Sequence, residues 1–201
     1  MVTTLYLIRH GLTENGEERR YKGHIDVPLS EKGMKQMERV SKYIVQKSIT
    51  LDTVYCSDLS RATKSAEIIA EPHSLYTIVS LFLRERGFGI WEGMSFEEIR
   101  EKYPIEFESW AENPLKFSPM GGENSEGVRK RVIKALEEII GNFNGKHIAI
   151  VAHGGVNRII LCHLMGVPLE NIFRIEQDYG ALNIIEFWDK YPVVKLINCT
   201  V

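Results

Sequence analysis

Leu5-Tyr6-Leu7-Ile8-Arg9-His10-Gly11 is the stretch that decides the fold. Four consecutive apolar residues read as a short buried strand. An arginine and a histidine follow at its carboxyl end, and a glycine lets the chain turn. In open α/β sheets, ligands bind outside the carboxyl ends of the strands. The segment therefore delivers a permanent cation and a nucleophile or base to the place where such sheets do chemistry. Val151-Ala152-His153-Gly154-Gly155 repeats the arrangement late in the chain, with a second histidine at a strand end.

Further strand-like runs cover 53–57, 76–80, 181–188 and 193–198, beside 4–8 and 147–152. Helical patterns separate most of them. Ser30 is placed to cap a helix running to Gln46, with Met34, Met37, Tyr43 and Ile44 inward. A second helix is expected over 124–140. Val128, Val132, Ala135, Leu136, Ile139 and Ile140 form one apolar stripe there, and Gly141 and Gly145 end it. The alternation predicts a three-layer α/β fold with a mainly parallel central sheet and helices on both faces. The last two strands are close enough to form an antiparallel edge hairpin. Residues 83–122 break the pattern with Pro104, Pro114 and Pro119 and a capping box at Ser95-Phe96-Glu97-Glu98. We read 1–201 as one domain, with 83–122 as a helical lid insertion over the site.

Composition excludes several classes. The 201 residues carry a net charge of −2, which gives no basic field for nucleic acid. No run of 18 apolar residues is present to span a membrane, and the N-terminus lacks the form of a secretory signal. Cys56, Cys162 and Cys199 contain no CxxC pair and read as reduced thiols of a cytoplasmic protein. The histidines have no zinc-ligand spacing, so neither metal nor cofactor is expected.

If the strands are parallel neighbours, Arg9, His10, Arg61, Glu85 and His153 project from one edge of the sheet. Arg61 lies in Ser57-Asp58-Leu59-Ser60-Arg61-Ala62, and Glu85 follows Arg84 after a strand. Two arginines suit phosphate, which they grip with a planar bidentate fork. Helix N-termini after Arg61 and Gly154 add backbone N–H donors. A histidine attacks phosphorus readily, and a carboxylate protonates a leaving oxygen and later deprotonates water.

These segments resemble the histidine phosphatase superfamily, also called phosphoglycerate mutase-like. The resemblance runs from Leu5 through Tyr21-Lys22-Gly23, Asp26-Val27-Pro28-Leu29-Ser30-Glu31-Lys32-Gly33 and 57–66 to 151–155 and Leu164-Met165-Gly166-Val167-Pro168. It implies that His10 is the nucleophile that becomes phosphohistidine. It implies that Arg9, Arg61 and His153 bind the transferring phosphoryl group and that Glu85 is general acid, then base. Lys22, Gly23 and the backbone near Gly154 would line the substrate side. One departure stands out. The family usually places a phosphate-binding asparagine six residues after the nucleophile; here that position is Gly16, and Asn15 is the candidate to replace it.

The resemblance implies a phosphatase acting on a small phosphomonoester, with a phosphoglycerate mutase and a non-catalytic phospho-ligand binder as alternatives. Glu85-Arg86-Gly87-Phe88-Gly89-Ile90-Trp91-Glu92-Gly93 looks like the phosphatase branch, and Tyr21–Leu29 resembles alpha-ribazole phosphatases as well as broad-specificity members. Trp91, Phe96, Phe107, Trp110 and Phe117 offer apolar surface to a leaving group, although a plain core would use them too. Pairing of the chain into a homodimer is compatible with all of this. His24, His73, His147 and His163 read as structural or surface residues, His163 as hydrogen-bonded core. Gly121-Gly122 fits a turn or a substrate loop equally. Arg86 faces either pocket or solvent, and Arg19-Arg20 reads as a solvated loop.

Overall fold

The computed structural model describes all residues except Arg19 and Lys190. Among the described residues, one six-stranded sheet forms the centre, in the order β3-β2-β4-β1-β5-β6. The strands are β1 (Val2–Arg9), β2 (Thr53–Cys56), β3 (Thr77–Val79), β4 (His147–Ala152), β5 (Leu182–Trp188) and β6 (Tyr191–Cys199). The first four in space run parallel, and β5 turns antiparallel against β1 and pairs with β6 as a hairpin.

Alternation along β1 assigns the two faces. Leu5 and Leu7 pack with Ile148 and Ile150 of β4 beneath α5 (Ser125–Asn142) and α6 (Gly154–Met165). Tyr6 and Ile8 pack with Ala149 and Val151 beneath α1 (Glu31–Gln46) and α2 (Ser60–Ala70). Each apolar residue thus serves one of two cores on opposite sides of the sheet. Ser30 caps α1 by accepting from Gly33 N–H. Ser95 and Glu98 form the reciprocal capping box of α3 (Phe96–Lys102), which leads into α4 (Pro104–Glu112).

Three local expectations change. Helix α5 runs past Ile140 to Asn142, because the packing of its apolar stripe outweighs the modest cost of Gly141 within it; Gly145, at φ +76°, makes the turn into β4. Glu85 does not follow a strand directly, because a single 3-10 turn, Leu81–Leu83, intervenes after β3. His163 is exposed on the last turn of α6 rather than part of the core, because the buried residues of that helix lie on its other side.

Gly11 has a different reason from the one its sequence context suggested. A Cβ there would meet the Gly33 carbonyl oxygen at 2.4 Å, and one on Gly33 would meet the Leu12 carbonyl oxygen at 2.0 Å. The two glycines let the loop after β1 lie directly on the first turn of α1. Gly33→Ala should therefore destabilise the protein by about 1–3 kcal/mol through overpacking against backbone. Gly141→Ala, in open space on a helix, should stabilise it by about 0.5–1 kcal/mol. Denaturant midpoints of the two variants test both signs, and a neutral Gly33→Ala would contradict the packing account.

Candidate active site

The in-register pairing of β1 with β4 ends at Arg9 opposite Ala152, so the next residues, His10 and His153, leave the sheet side by side. Their rings meet edge to face, 5.1 Å between centroids. The His10 backbone N–H donates to the Ala152 carbonyl at 3.0 Å and its carbonyl accepts from Gly180 N–H at 3.1 Å, which fixes the residue at both ends.

The His10 ring is almost fully buried, and its Nδ1 lies 2.8 Å from the Gly11 carbonyl oxygen. A carbonyl only accepts, so Nδ1 carries the proton and the neutral ring keeps its lone pair on Nε2. Burial, reinforced by the positive charges of Arg9 and Arg61, holds the pKa of His10 well below the ordinary histidine value. His153, fully buried at the N-cap of α6, is pushed down in the same way, first by burial and then by His10, Arg61 and Arg9. Ser57 Oγ bonds its Nε2 at 2.7 Å, and its buried Nδ1 has no partner among the described residues.

The arginines are built in from two sides. Arg9 stacks over the Tyr179 ring at 3.7 Å and donates from Nη1 to the Gln177 carbonyl at 2.5 Å, while its buried Nε is unpartnered. Arg61, only 2% exposed on α2, donates to the carbonyls of Gly23 at 2.7 Å and Ile25 at 2.8 Å. Gly23 must be glycine, because at φ +50° a Cβ would also strike the Glu92 carboxylate. Burial lowers the pKa of both guanidinium groups and of Lys22, whose Nζ bonds Thr13 Oγ1. Those groups stay cationic, because burial starts from values far above neutrality.

Glu85 reaches the same place from its own loop. One carboxylate oxygen accepts from Arg86 N–H at 2.9 Å and the other from Gly155 N–H at 3.0 Å, in the first turn of α6. A carboxylate at a helix N-terminus is held by both hydrogen bonds and dipole.

Arg9, His10, Arg61, Glu85, His153 and Tyr179 line one cleft of about 1450 Å³, together with Lys22, Gly23 and Gly154. Its walls include Tyr21, Phe88, Trp91, Phe96, Phe107 and Trp110. Phe96, Phe107 and Trp110 pack on one another with centroids 5.0–6.1 Å apart. Phe117 stands behind the wall, stacked on Trp91. The Gly121-Gly122 pair is a tight turn packed on 87–89. Arg86 lines the cleft while donating to the carbonyls of Phe117 and Glu123 and to Ser125 Oγ. Arg20 pairs with Glu18 and Glu98; Arg19 lies outside the described residues.

Asn15 is not brought in. It is exposed in a left-handed turn at φ +49° and does not line the cleft, whereas Gly16 does. Ser57, Tyr179 and Gln177 are site residues to which the sequence reading gave no role. Among the described residues, no three or more His, Cys, Asp or Glu side chains group to hold a metal ion, and no helix is long and apolar enough to cross a membrane.

Comparison with known proteins places the chain. The family model described as "Histidine phosphatase superfamily (branch 1)" matches residues 5–200. Phosphoserine phosphatase 1 of Hydrogenobacter thermophilus is 33% identical over 98% of this chain and 92% of its own length. The structure of Bacillus stearothermophilus YhfR superposes with a TM-score of 0.87 at 33% identity, covering 96% of both chains. The alpha-ribazole phosphatase of Shigella flexneri does so with a TM-score of 0.90 at 25% identity, covering 98% and 97%.

Two buried histidines held neutral make stability depend on pH. The unfolded chain binds a proton at each as pH falls through about 6.5, while the folded chain resists until its lower pKa is reached. Stability is therefore lost on acidification, by about 1.4 kcal/mol per pH unit for each histidine. Unfolding free energies between pH 6.5 and 5 should fall steeply in the wild type and about half as steeply, for this pair, in His10→Asn. Equal slopes would show that His10 is not held neutral.

Proposed function

The chain belongs to the histidine phosphatase superfamily, branch 1, and is a phosphatase; from that premise we propose that it hydrolyses small phosphate monoesters through a phosphohistidine formed at Nε2 of His10. One observation carries this reading. The bond from Nδ1–H to the Gly11 carbonyl leaves a free Nε2 lone pair in a pocket with two buried, unpartnered polar nitrogens, Arg9 Nε and His153 Nδ1. A phosphoryl group satisfies both as it receives the lone pair.

In the first step, Nε2 attacks phosphorus and the bond to the leaving oxygen breaks. Arg9, Arg61 and His153 hold the non-bridging oxygens, and Glu85 in its protonated form donates to the leaving oxygen. Glu85 is then a carboxylate and takes a proton from the water that attacks the phosphohistidine, releasing phosphate and restoring His10. Arg9, Arg61 and Lys22 converge beside His10, so these side chains supply the charge for which other phosphoryl-transfer sites use a metal.

Residues 83–122 act as the lid, and their aromatic side chains favour a flat apolar leaving group. Alpha-ribazole phosphate is the leading substrate on this ground. Phosphoserine is the second reading, supported by the relative of that name at 33% identity. Hydrolysis is favoured over mutase chemistry because, among the described residues, cleft cations beyond the innermost three are spent on other partners: Arg86 donates to the carbonyls of Phe117 and Glu123 and to Ser125 Oγ. Arg20 bonds Glu98, Lys32 bonds Glu17 and Arg158 bonds Glu176. A non-catalytic binder has no use for His10 and Glu85 together.

His10→Ala should lose turnover altogether while remaining folded. Wild type quenched during turnover of ³²P-labelled substrate should carry label that is acid-labile and base-stable. Among purified monoesters, alpha-ribazole phosphate should show a higher kcat/KM than phosphoserine, and prolonged chelation should leave both rates unchanged. Near wild-type turnover by His10→Ala would overturn the mechanism; a preference for phosphoserine would overturn only the substrate.

A further inference from the structure

The loop 84–87 that carries Glu85 has no regular structure of its own, so its aim depends on what grips it. Arg84 forms a two-pronged ion pair with Asp58, and the backbone beyond is gripped from α5 by Arg131. The Arg131 guanidinium uses all five of its N–H donors. Nη1 donates to the carbonyls of Phe82 and Arg84, both at 2.8 Å, and Nη2 to the carbonyl of Glu85 at 3.0 Å. The remaining Nη2 and Nε bonds go to the two carboxylate oxygens of Glu123, each 2.8 Å. Glu123 Oε2 also accepts the Gly87 N–H at 2.9 Å, and His24 Nε2 bonds the Glu85 carbonyl from the far side at 2.9 Å. One planar ion pair therefore fixes the chain just before Glu85, at its own carbonyl and two residues after it.

We propose that Arg131, braced by Glu123, is a positioning residue that aims the Glu85 carboxyl at the leaving-group oxygen; this rests on the reading of Glu85 as proton donor. Arg131 does not line the cleft. Its side chain is only 17% exposed, and a lysine in its place offers three donors without the planar fork that meets carbonyls and carboxylate together.

A positioning role predicts a selective defect. p-Nitrophenyl phosphate expels a stabilised phenolate and needs little help from an acid, whereas an alkyl monoester such as glycerol phosphate needs its leaving oxygen protonated. The readout is kcat/KM, which reports the steps up to phosphoenzyme formation, on both substrates, with thermal melts confirming the fold. Arg131→Lys should lose about a hundredfold on the alkyl ester and less than about threefold on the aryl ester, since a misplaced general acid forfeits its contribution only where that is required. The double variant Arg131→Met with Glu123→Gln removes both charges of the pair together, and serves if the single variant fails to fold. Equal losses on the two esters, or no loss on either, would overturn the proposal. Glu85→Gln on the same esters separates the two claims. A selective defect in Glu85→Gln without one in the Arg131 variants overturns the positioning role alone; no selective defect in Glu85→Gln overturns the acid assignment beneath it.

Discussion

The parallel register of β1 against β4 is the constraint on which the rest depends. Because Arg9 lies opposite Ala152, the residue after each strand is a histidine, and the two leave the sheet in contact. Strand alternation puts them on the side of α1 and α2 and sends Arg9 toward α5 and α6. A slip of one residue would exchange the two cores and part the histidines. The apolar residues that fill both cores in this register therefore also build the site.

The site gathers groups that are electrostatically expensive to bury. Arg61 is buried and Arg9 half-buried beside two histidines that burial keeps neutral, and Arg9 Nε and His153 Nδ1 have no partner among the described residues. Buried guanidinium groups are tolerated because carbonyls of irregular loops turn toward them: Gly23 and Ile25 to Arg61, Gln177 to Arg9. A dianion that restores the missing interactions binds the folded state alone, and so stabilises it.

Much of the fold was legible in the sequence because it rests on local patterns. Apolar runs marked all six strands, the stripe from Val128 to Ile140 marked α5, and Ser30 and Ser95 marked helix starts. Arg9, His10 and His153 were legible because strand ends are where such sheets place their chemistry. Ser57, Tyr179 and Arg131 were not assigned roles, since each acts through a neighbour distant in sequence: Ser57 on His153, Tyr179 under Arg9, Arg131 on the Glu85 loop. The pressure of Gly11 on Gly33 was equally invisible, because a close approach of two backbones leaves no periodic trace. Asn15 was a candidate by proximity to the expected position, but its left-handed turn keeps it exposed and out of the cleft. His163 lies in an apolar helix, but the last turn of α6 shows that face to solvent.

The central claim is that His10 is a neutral base with its proton on Nδ1 and its lone pair on Nε2. Long-range ¹⁵N–¹H correlation spectra of histidine-labelled protein, with His10 assigned by its loss in His10→Asn, read this directly. A protonated Nδ1 and an unprotonated Nε2 are expected at pH 7, with the ring still neutral as the pH is lowered through the ordinary histidine value of about 6.5. A ring protonated on Nε2, or an imidazolium at pH 7, would contradict that claim.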